Sequence, residues 1–138
     1  MRRGTIALTL AGALSAVVIA FAYRRGGPRI VVDFGISEPE RWEPALRQVA
    51  NLRLSLPEAP IHVVVYGKAI PMLAGITSPV ATALDTLDEQ RVHFVACENT
   101  LRAQNVARRD LVKFADTVPS AVAELARRQD AGWVYVKL

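Results

Sequence analysis

The sequence VHFVACENTLR, residues 92–102, predicts a buried β-strand that leads directly into a helix. Residues 92–96 form an almost continuous apolar run, which fits a strand that is covered on both faces of a sheet. Residues 98–104 predict a short helix, and the only cysteine of the chain, Cys97, lies between the two elements. The chain therefore passes from strand to helix at a residue whose side chain can do chemistry.

Four further runs predict strands on either side of this stretch. Most of them are rich in β-branched or aromatic residues and lie next to turn-forming residues. Gly35 and Gly67 end the first two runs. The five predicted strands are 30–34, 61–66, 92–96, 114–118 and 133–136, of which 114–118 is the weakest.

Amphipathic helices separate these strands, with apolar residues at spacings of three and four. Ser78 and Pro79 predict the N-cap and the first position of the second long helix. Pro119 predicts the start of the last helix, and Gly132 its end. The apolar positions are Trp42, Ala45, Leu46, Val49, Leu52 and Leu56, then Val80, Ala83, Leu84 and Leu87, then Val122, Leu125 and Ala126.

Alternating strands and helices predict the fold class. They indicate βαβ units, a mainly parallel sheet of about five strands, and helices on both faces of it. The expected architecture is a three-layer α/β/α, Rossmann-like domain. The order of the strands does not follow from the sequence.

Length, composition and charge fit one folded domain. The chain has 138 residues, of which 51% are hydrophobic, so it can build a packed core. Four of the 17 Lys and Arg residues flank an apolar N-terminal segment, and the remaining 13 equal the 13 Asp and Glu residues. The domain itself is nearly neutral. This argues against a nucleic-acid partner, because such proteins cluster basic charge on one face.

Residues 1–28 predict a membrane anchor or signal segment, and residues 29–138 the α/β domain. Thr5 to Phe21 carry no charge, and arginines flank this run on both sides. Its length and flanks favour an apolar helix that stays attached as an anchor, while Ala20-Phe21-Ala22 leaves cleavage of a signal peptide open. We expect a membrane-anchored or exported protein, with the domain on the periplasmic (extracytoplasmic) side.

Cys97 has no second cysteine with which to pair. This excludes an internal disulfide, a CxxC redox pair and a zinc site built from thiolates. Its position before a helix places the sulfur near unpaired backbone N–H groups and the positive end of the helix dipole, which favour the thiolate. A thiolate is a nucleophile, so the position supports sulfur chemistry. The alternative is an inert buried cysteine.

Several segments resemble the DsrE/DsrF-like (YchN-fold) sulfur-relay family in their order and spacing across residues 30–138. They are residues 92–102, Asn51-Leu52-Arg53, Val64 to Lys68, Asp110-Leu111, Val118 to Leu125 and Gln129 to Lys137. The resemblance implies a Rossmann-like domain that forms homotrimers or hexamers. It also implies that sulfur is passed as a cysteine persulfide, because Cys97 matches the position of the relay cysteine. Sulfur donors and acceptors would then be other proteins or small sulfur species.

Five residues near Cys97 or at the end of the second strand are candidates for substrate binding. Lys68 and Arg102 would bind an anion or hold a thiolate, and a solvated surface position is the alternative for both. The others are Gly67, Asn99 and Thr100. Asn99 and Thr100 would bind a ligand at the helix start, or serve as ordinary capping residues.

No metal or cofactor is expected. His62 and His93 lie in apolar strands without the spacing of metal ligands, and packed or edge-facing histidines are the favoured interpretation. Gly67-Lys68 lacks the rest of a phosphate-binding loop, which argues against a flavin or nucleotide enzyme. Asp33 ends the first strand and either faces the site or caps a turn.

Two interpretations of function follow. In the first, the protein is a sulfur carrier, related to sulfurtransferases, that holds a persulfide on Cys97. In the second, it is a non-catalytic oligomeric module, held at the membrane, that binds a small ligand or serves as a scaffold. Cys97 is then a packing residue.

Overall fold

The computed structural model describes residues 27–138. The predicted anchor or signal segment, residues 1–28, lies outside the described residues except for Gly27 and Pro28. Within residues 27–138, no helix has the length and apolar character needed to cross a bilayer.

Five strands form one parallel sheet, as the alternating pattern predicts. They are β1 (Ile30–Phe34), β2 (Ile61–Val65), β3 (Val92–Cys97), β4 (Asp116–Val118) and β5 (Val134–Lys137), in the order β4-β3-β2-β1-β5. Every pairing is parallel, with Ile30 opposite Ile61 and Ile61 opposite Val92. The last strand therefore crosses back to lie beside the first.

Four α-helices flank the sheet: α1 (Trp42–Ser55), α2 (Ala81–Glu89), α3 (Glu98–Ala103) and α4 (Ala121–Asp130). Short 3-10 helices occupy Pro39–Arg41, Gly67–Leu73, Gly75–Thr77 and Arg108–Asp110. The three-layer α/β/α prediction is confirmed. The helical segment that begins at Gly67 was not predicted, because its proline and its poor periodicity hide it.

One sheet face carries most of the core. Alternate strand residues such as Val32, Phe34, Val63 and Phe94 are fully buried there. They pack with the apolar faces of α1 and α2, and we call this cluster the large core. Because side chains alternate along a strand, the residues between them point to the other face.

The second face carries a smaller cluster, which we call the small core. It consists of Val31, Val64, Cys97, Ala121 and Leu125, with Tyr66 and Trp133 packed against it. Helix α4 contributes Ala121 and Leu125. The candidate cysteine thus belongs to the sheet face that α4 covers.

The predicted start of α2 is wrong by two residues. The helix begins at Ala81, and Val80 occupies the N-cap position without a side-chain cap. Ser78 is buried, and its hydroxyl donates to the carbonyl of Met72 at 2.5 Å while accepting from the N–H of Val80 at 3.3 Å. The serine stabilises the preceding turn instead of the helix, because a buried hydroxyl needs a partner wherever the fold supplies one.

Candidate functional site

The carboxyl ends of β2 and β3 bring the predicted site residues together. Val65 pairs with Ala96, so the residues that follow them, Tyr66 and Cys97, lie side by side at this edge. In open parallel sheets this edge is where ligands bind. Gly67 follows Tyr66, and α3 starts immediately after Cys97.

Cys97 ends β3 and is the N-cap residue of α3. Its side chain is 5% exposed, and its Sγ accepts a hydrogen bond from the N–H of Ala121 at 3.4 Å. Ala121 is the first residue of α4, so the sulfur lies at the N-termini of two helices. Both helix dipoles favour a negative charge at this point.

The surroundings of Cys97 favour the thiolate. Burial alone would raise the pKa of Cys97, but the polar groups around the sulfur, namely the Thr100 hydroxyl and the backbone N–H groups of Ala121, Thr100 and Asn99, outweigh it, so the pKa is lowered. All of these donors are neutral. The thiolate is therefore stabilised by oriented dipoles, as at other helix N-termini that bind anions.

Thr100 connects α3 to the chain segment after β2. Its Oγ1 accepts a hydrogen bond from the N–H of Gly67 at 3.2 Å. The carbonyl of Gly67 accepts at 2.9 Å from the side chain of Gln104, the C-cap residue of α3. Gly67 has a φ of 59°, in the left-handed region that favours glycine. The predicted site residues Gly67 and Thr100 are therefore directly hydrogen-bonded, and Thr100 lies in the helix that follows Cys97.

The other three predicted site residues are Asn99, Arg102 and Lys68. Asn99 donates its backbone N–H to the carbonyl of Pro119 at 3.2 Å, and its side chain accepts from Arg102. Arg102 lines a small pocket on the outer side of α3, together with Glu98 and Arg108. Lys68 is exposed in the 3-10 helix that Gly67 begins.

A buried carboxylate lies two strands away on the same face. Asp33 of β1 is 5% exposed, and its Oδ2 accepts from the hydroxyl of Tyr135 at 2.5 Å. Burial, together with a hydrogen bond to Asp33, raises the pKa of Tyr66 to about 12. The prediction that Asp33 faces a site or caps a turn did not include these partners. The sequence does not indicate that Asp33 and Tyr135 are in contact, because only the strand order brings β5 beside β1.

The two histidines are packed together. The ring of His62 lies 4.7 Å from that of His93 and 4.6 Å from that of Trp133. Burial, Arg128 and His93 lower the pKa of His62 from 6.5 to about 4. His93 is 2.8 Å from a carboxylate oxygen of Asp116. Within residues 27–138, no three His, Cys, Asp or Glu side chains are grouped so as to hold a metal ion.

The strand order and the parallel pairing define a DsrE-like α/β fold. This is the fold of the ychN protein of E. coli, which matches with a TM-score of 0.70 at 15% identity over 81% of this chain and 100% of that one. The resemblance seen in the sequence is therefore confirmed for the fold.

A second solved structure shows the family. The protein MTH1491 of Methanobacterium thermoautotrophicum, described as a protein of unknown function, matches with a TM-score of 0.76 at 32% identity. The match covers 81% of this chain and 100% of that one. The chain belongs to the same family as this protein. No family model and no curated protein matches the chain.

Proposed function

We propose that the protein is a sulfur carrier in which Cys97 accepts a sulfane sulfur and presents it as a persulfide. The observation that carries the proposal is the position of Sγ, which accepts a hydrogen bond from the first residue of α4 while its own residue occupies the N-cap position of α3. The DsrE-like fold and the lowered pKa of Cys97 support it. A fold alone does not define an activity, so the argument depends on this site.

The chemistry requires one bond to form and one to break. The Cys97 thiolate attacks the outer sulfur of a donor such as thiosulfate, a new S–S bond forms, and the S–S bond of the donor breaks. Sulfite leaves with the electron pair of that bond. An acceptor nucleophile then attacks the outer sulfur of the persulfide, and Cys97 leaves as a thiolate. Both protein forms are anionic, so the same helix N-termini stabilise them.

Because Cys97 has no second cysteine to exchange with, the sulfur comes from and goes to other molecules. These are donor and acceptor proteins or small sulfur species. Arg102 and Lys68 would contact anionic donors, with Asn99 holding Arg102 in place. The proposal includes a homotrimer or hexamer, attached to the membrane or exported through residues 1–28, with the domain on the periplasmic side.

Mass spectrometry of the intact full chain tests the proposal. After incubation with thiosulfate or polysulfide and removal of the donor, we expect an added mass of about 32 Da that a reductant removes. Cys97→Ser should gain no sulfur. The absence of an adduct on the folded wild-type chain would contradict the proposal.

A matched control separates site chemistry from general thiol reactivity. Leu54 is 72% exposed in the last turn of α1, where the helix dipole disfavours a thiolate. The double variant Cys97→Ser/Leu54→Cys therefore carries one accessible thiol without helix N-termini around it. We expect this thiol to gain sulfur more slowly than Cys97 at pH 7, despite its greater exposure.

The burial of Cys97 supports a second candidate function. The side chain packs in the small core with Val31 and Val64 and is 5% exposed, as a structural cysteine would be. The protein would then be a non-catalytic oligomeric module that binds a small ligand or a neighbour at the membrane. In cells, an unchanged phenotype of Cys97→Ala favours this function, and a lost phenotype favours the carrier.

A further inference from the structure

The order of the strands reverses beside β1. The chain places β1, β2, β3 and β4 side by side in one direction, and β5 then returns to the other side of β1. Helix α1 follows β1 on the large-core face, whereas α4 leads into β5 along the small-core face. In open parallel sheets, ligands bind outside the carboxyl ends of the strands at such a point of reversal. The topology therefore favours a site at the ends of β1 and β5, and Cys97 lies at the end of β3 instead.

A cavity of about 260 Å³ lies at this point of reversal. Its walls come from residues 35–38 after β1, from Lys137 at the end of β5, and from Tyr66 after β2. Arg41 also lines it, and the guanidinium of Arg41 is paired with the carboxylate of Glu38 at 3.6 Å. Among the described residues, Lys137 has no carboxylate within ion-pair distance. Its ammonium group is therefore available to an anion.

A buried carboxylate with an unpartnered oxygen lies beside this cavity. Asp33 is opposite Lys137 in the register of β1 and β5, and Gly35 follows two residues later on the same face. Oδ2 of Asp33 accepts from the hydroxyl of Tyr135, but Oδ1 is buried and has no hydrogen-bond partner within residues 27–138. Buried polar atoms without a partner are rare. This oxygen therefore points to a donor from another molecule.

Tyr66 lies between the cavity and the carboxylate. A Cβ atom at position 35 would be 2.6 Å from the hydroxyl oxygen of Tyr66, so the ring occupies the space that only a glycine leaves open. The ring thus covers the end of β1 on the face that carries Asp33, and it also lines the cavity. Its position makes Tyr66 the side chain that controls access to Oδ1.

We propose that this cavity binds a small carboxylate that carries a hydroxyl or amino group on the adjacent carbon. Lys137 pairs with the carboxylate of the ligand, and the hydroxyl or amino group donates to Oδ1 of Asp33 once the Tyr66 ring has turned away from Gly35. Neighbouring strands are about 4.8 Å apart, which suits contacts from both strands to one small molecule. The site does not use Cys97, so the proposal is independent of the sulfur-carrier function.

Nuclear magnetic resonance of the nitrogen-15-labelled full chain tests the proposal. Titration with lactate or alanine should give saturable shifts of the backbone amide signals of Ser37 and Lys137. Saturable binding of either compound supports the site, and the tighter binder identifies the preferred donor group. Propionate has the carboxylate without the donor. We expect it to bind about tenfold more weakly, because the contact with Asp33 is lost.

Two variants and one control assign the binding to these side chains. Lys137→Met removes the charge and keeps the length, and it should weaken lactate binding by about tenfold. Asp33→Leu removes the acceptor and should bind lactate and propionate equally. Lys113→Met removes an exposed lysine from the loop before β4 and should bind lactate as the wild type does. Circular dichroism identifies any variant that fails to fold, and the comparison of lactate with propionate needs no variant.

Three results would overturn the proposal: no saturable shift with lactate or alanine, equal binding of propionate to the wild type, or unchanged binding in folded Lys137→Met. A loss of binding in folded Cys97→Ser would place the ligand at the sulfur and would also overturn it. The sulfur-carrier function is tested separately, because the 32-Da adduct does not require this cavity.

Discussion

The two faces of the sheet differ in what they bury. The large core, under α1 and α2, consists of apolar side chains such as Phe34, Leu46 and Phe94. The small core, under α4, contains the thiol of Cys97, and the same face carries the buried carboxylate of Asp33. Both faces belong to the same five strands, and alternation along each strand separates them.

This difference assigns separate tasks to the two faces. The large core supplies most of the buried apolar area and hence most of the stability. Among the described residues, four of the five groups with shifted pKa values lie on the α4 face, namely Cys97, Tyr66, Tyr135 and His62, and the fifth, Arg53, lies in α1. Groups with shifted pKa values cluster at functional sites more often than elsewhere. We therefore propose that function resides on the face with the smaller core.

The largest expected effect is the loss of a large-core aromatic residue. Phe94 is fully buried, so Phe94→Ala should lower the free energy of unfolding by about 3–5 kcal/mol. Leu125→Ala, in the small core, should lower it by about 2–3 kcal/mol, because the site is shallower and can relax. Urea unfolding at pH 7 measures both. An equal or greater loss in Leu125→Ala would remove the distinction between the two cores.

The next effect concerns the buried carboxylate. Tyr135→Phe removes a donor to Asp33, and the buried carboxyl group that loses this donor should lower the stability of the fold. In an Asp33→Leu background the same substitution should cost much less, because no buried carboxyl group then loses its hydrogen-bond donor. The same cost in both backgrounds would show that the pair is not coupled.

The smallest effect is the acid sensitivity that His62 confers. Its pKa is about 4 in the folded protein and 6.5 ordinarily, so unfolding takes up a proton between these values. The stabilisation is present above pH 6.5 and is lost as the pH falls toward 4. We expect His62→Gln to flatten the decline in unfolding free energy over this window by about 1–2 kcal/mol.

His93→Gln is the matched control for this prediction. His93 is the half-exposed neighbour of His62, and its side chain contacts Asp116. Its removal should leave most of the decline in place, because His62 stays buried. If His93→Gln flattens the curve as much as His62→Gln, the acid sensitivity belongs to the pair.

Local sequence patterns predicted the elements well and the contacts between distant elements poorly. The strand at 92–96 and the helix after it were readable because apolar runs and helical periodicity are local signals. The same signals placed Cys97 at their junction. The strand 114–118 was predicted two residues too long at its start, since β4 begins at Asp116.

The contacts that the sequence could not predict depend on the order of the strands in the sheet. The contact between Asp33 and Tyr135 joins residues 102 positions apart, and it exists because β5 pairs with β1. The hydrogen bond from Ala121 to Cys97 likewise requires α4 to start beside the end of β3. The candidate cysteine was therefore predictable, whereas the second helix N-terminus that stabilises it was not.

The central claim is that the thiol on the α4 face carries a transferable sulfur. The most direct measurement loads the full chain with thiosulfate or polysulfide, removes the donor, and adds cyanide. Cyanide attacks the outer sulfur of a persulfide, which releases thiocyanate and restores the Cys97 thiolate. The account predicts one thiocyanate per loaded wild-type chain and none from Cys97→Ser. Equal thiocyanate from both proteins, or none from the wild type, would contradict it.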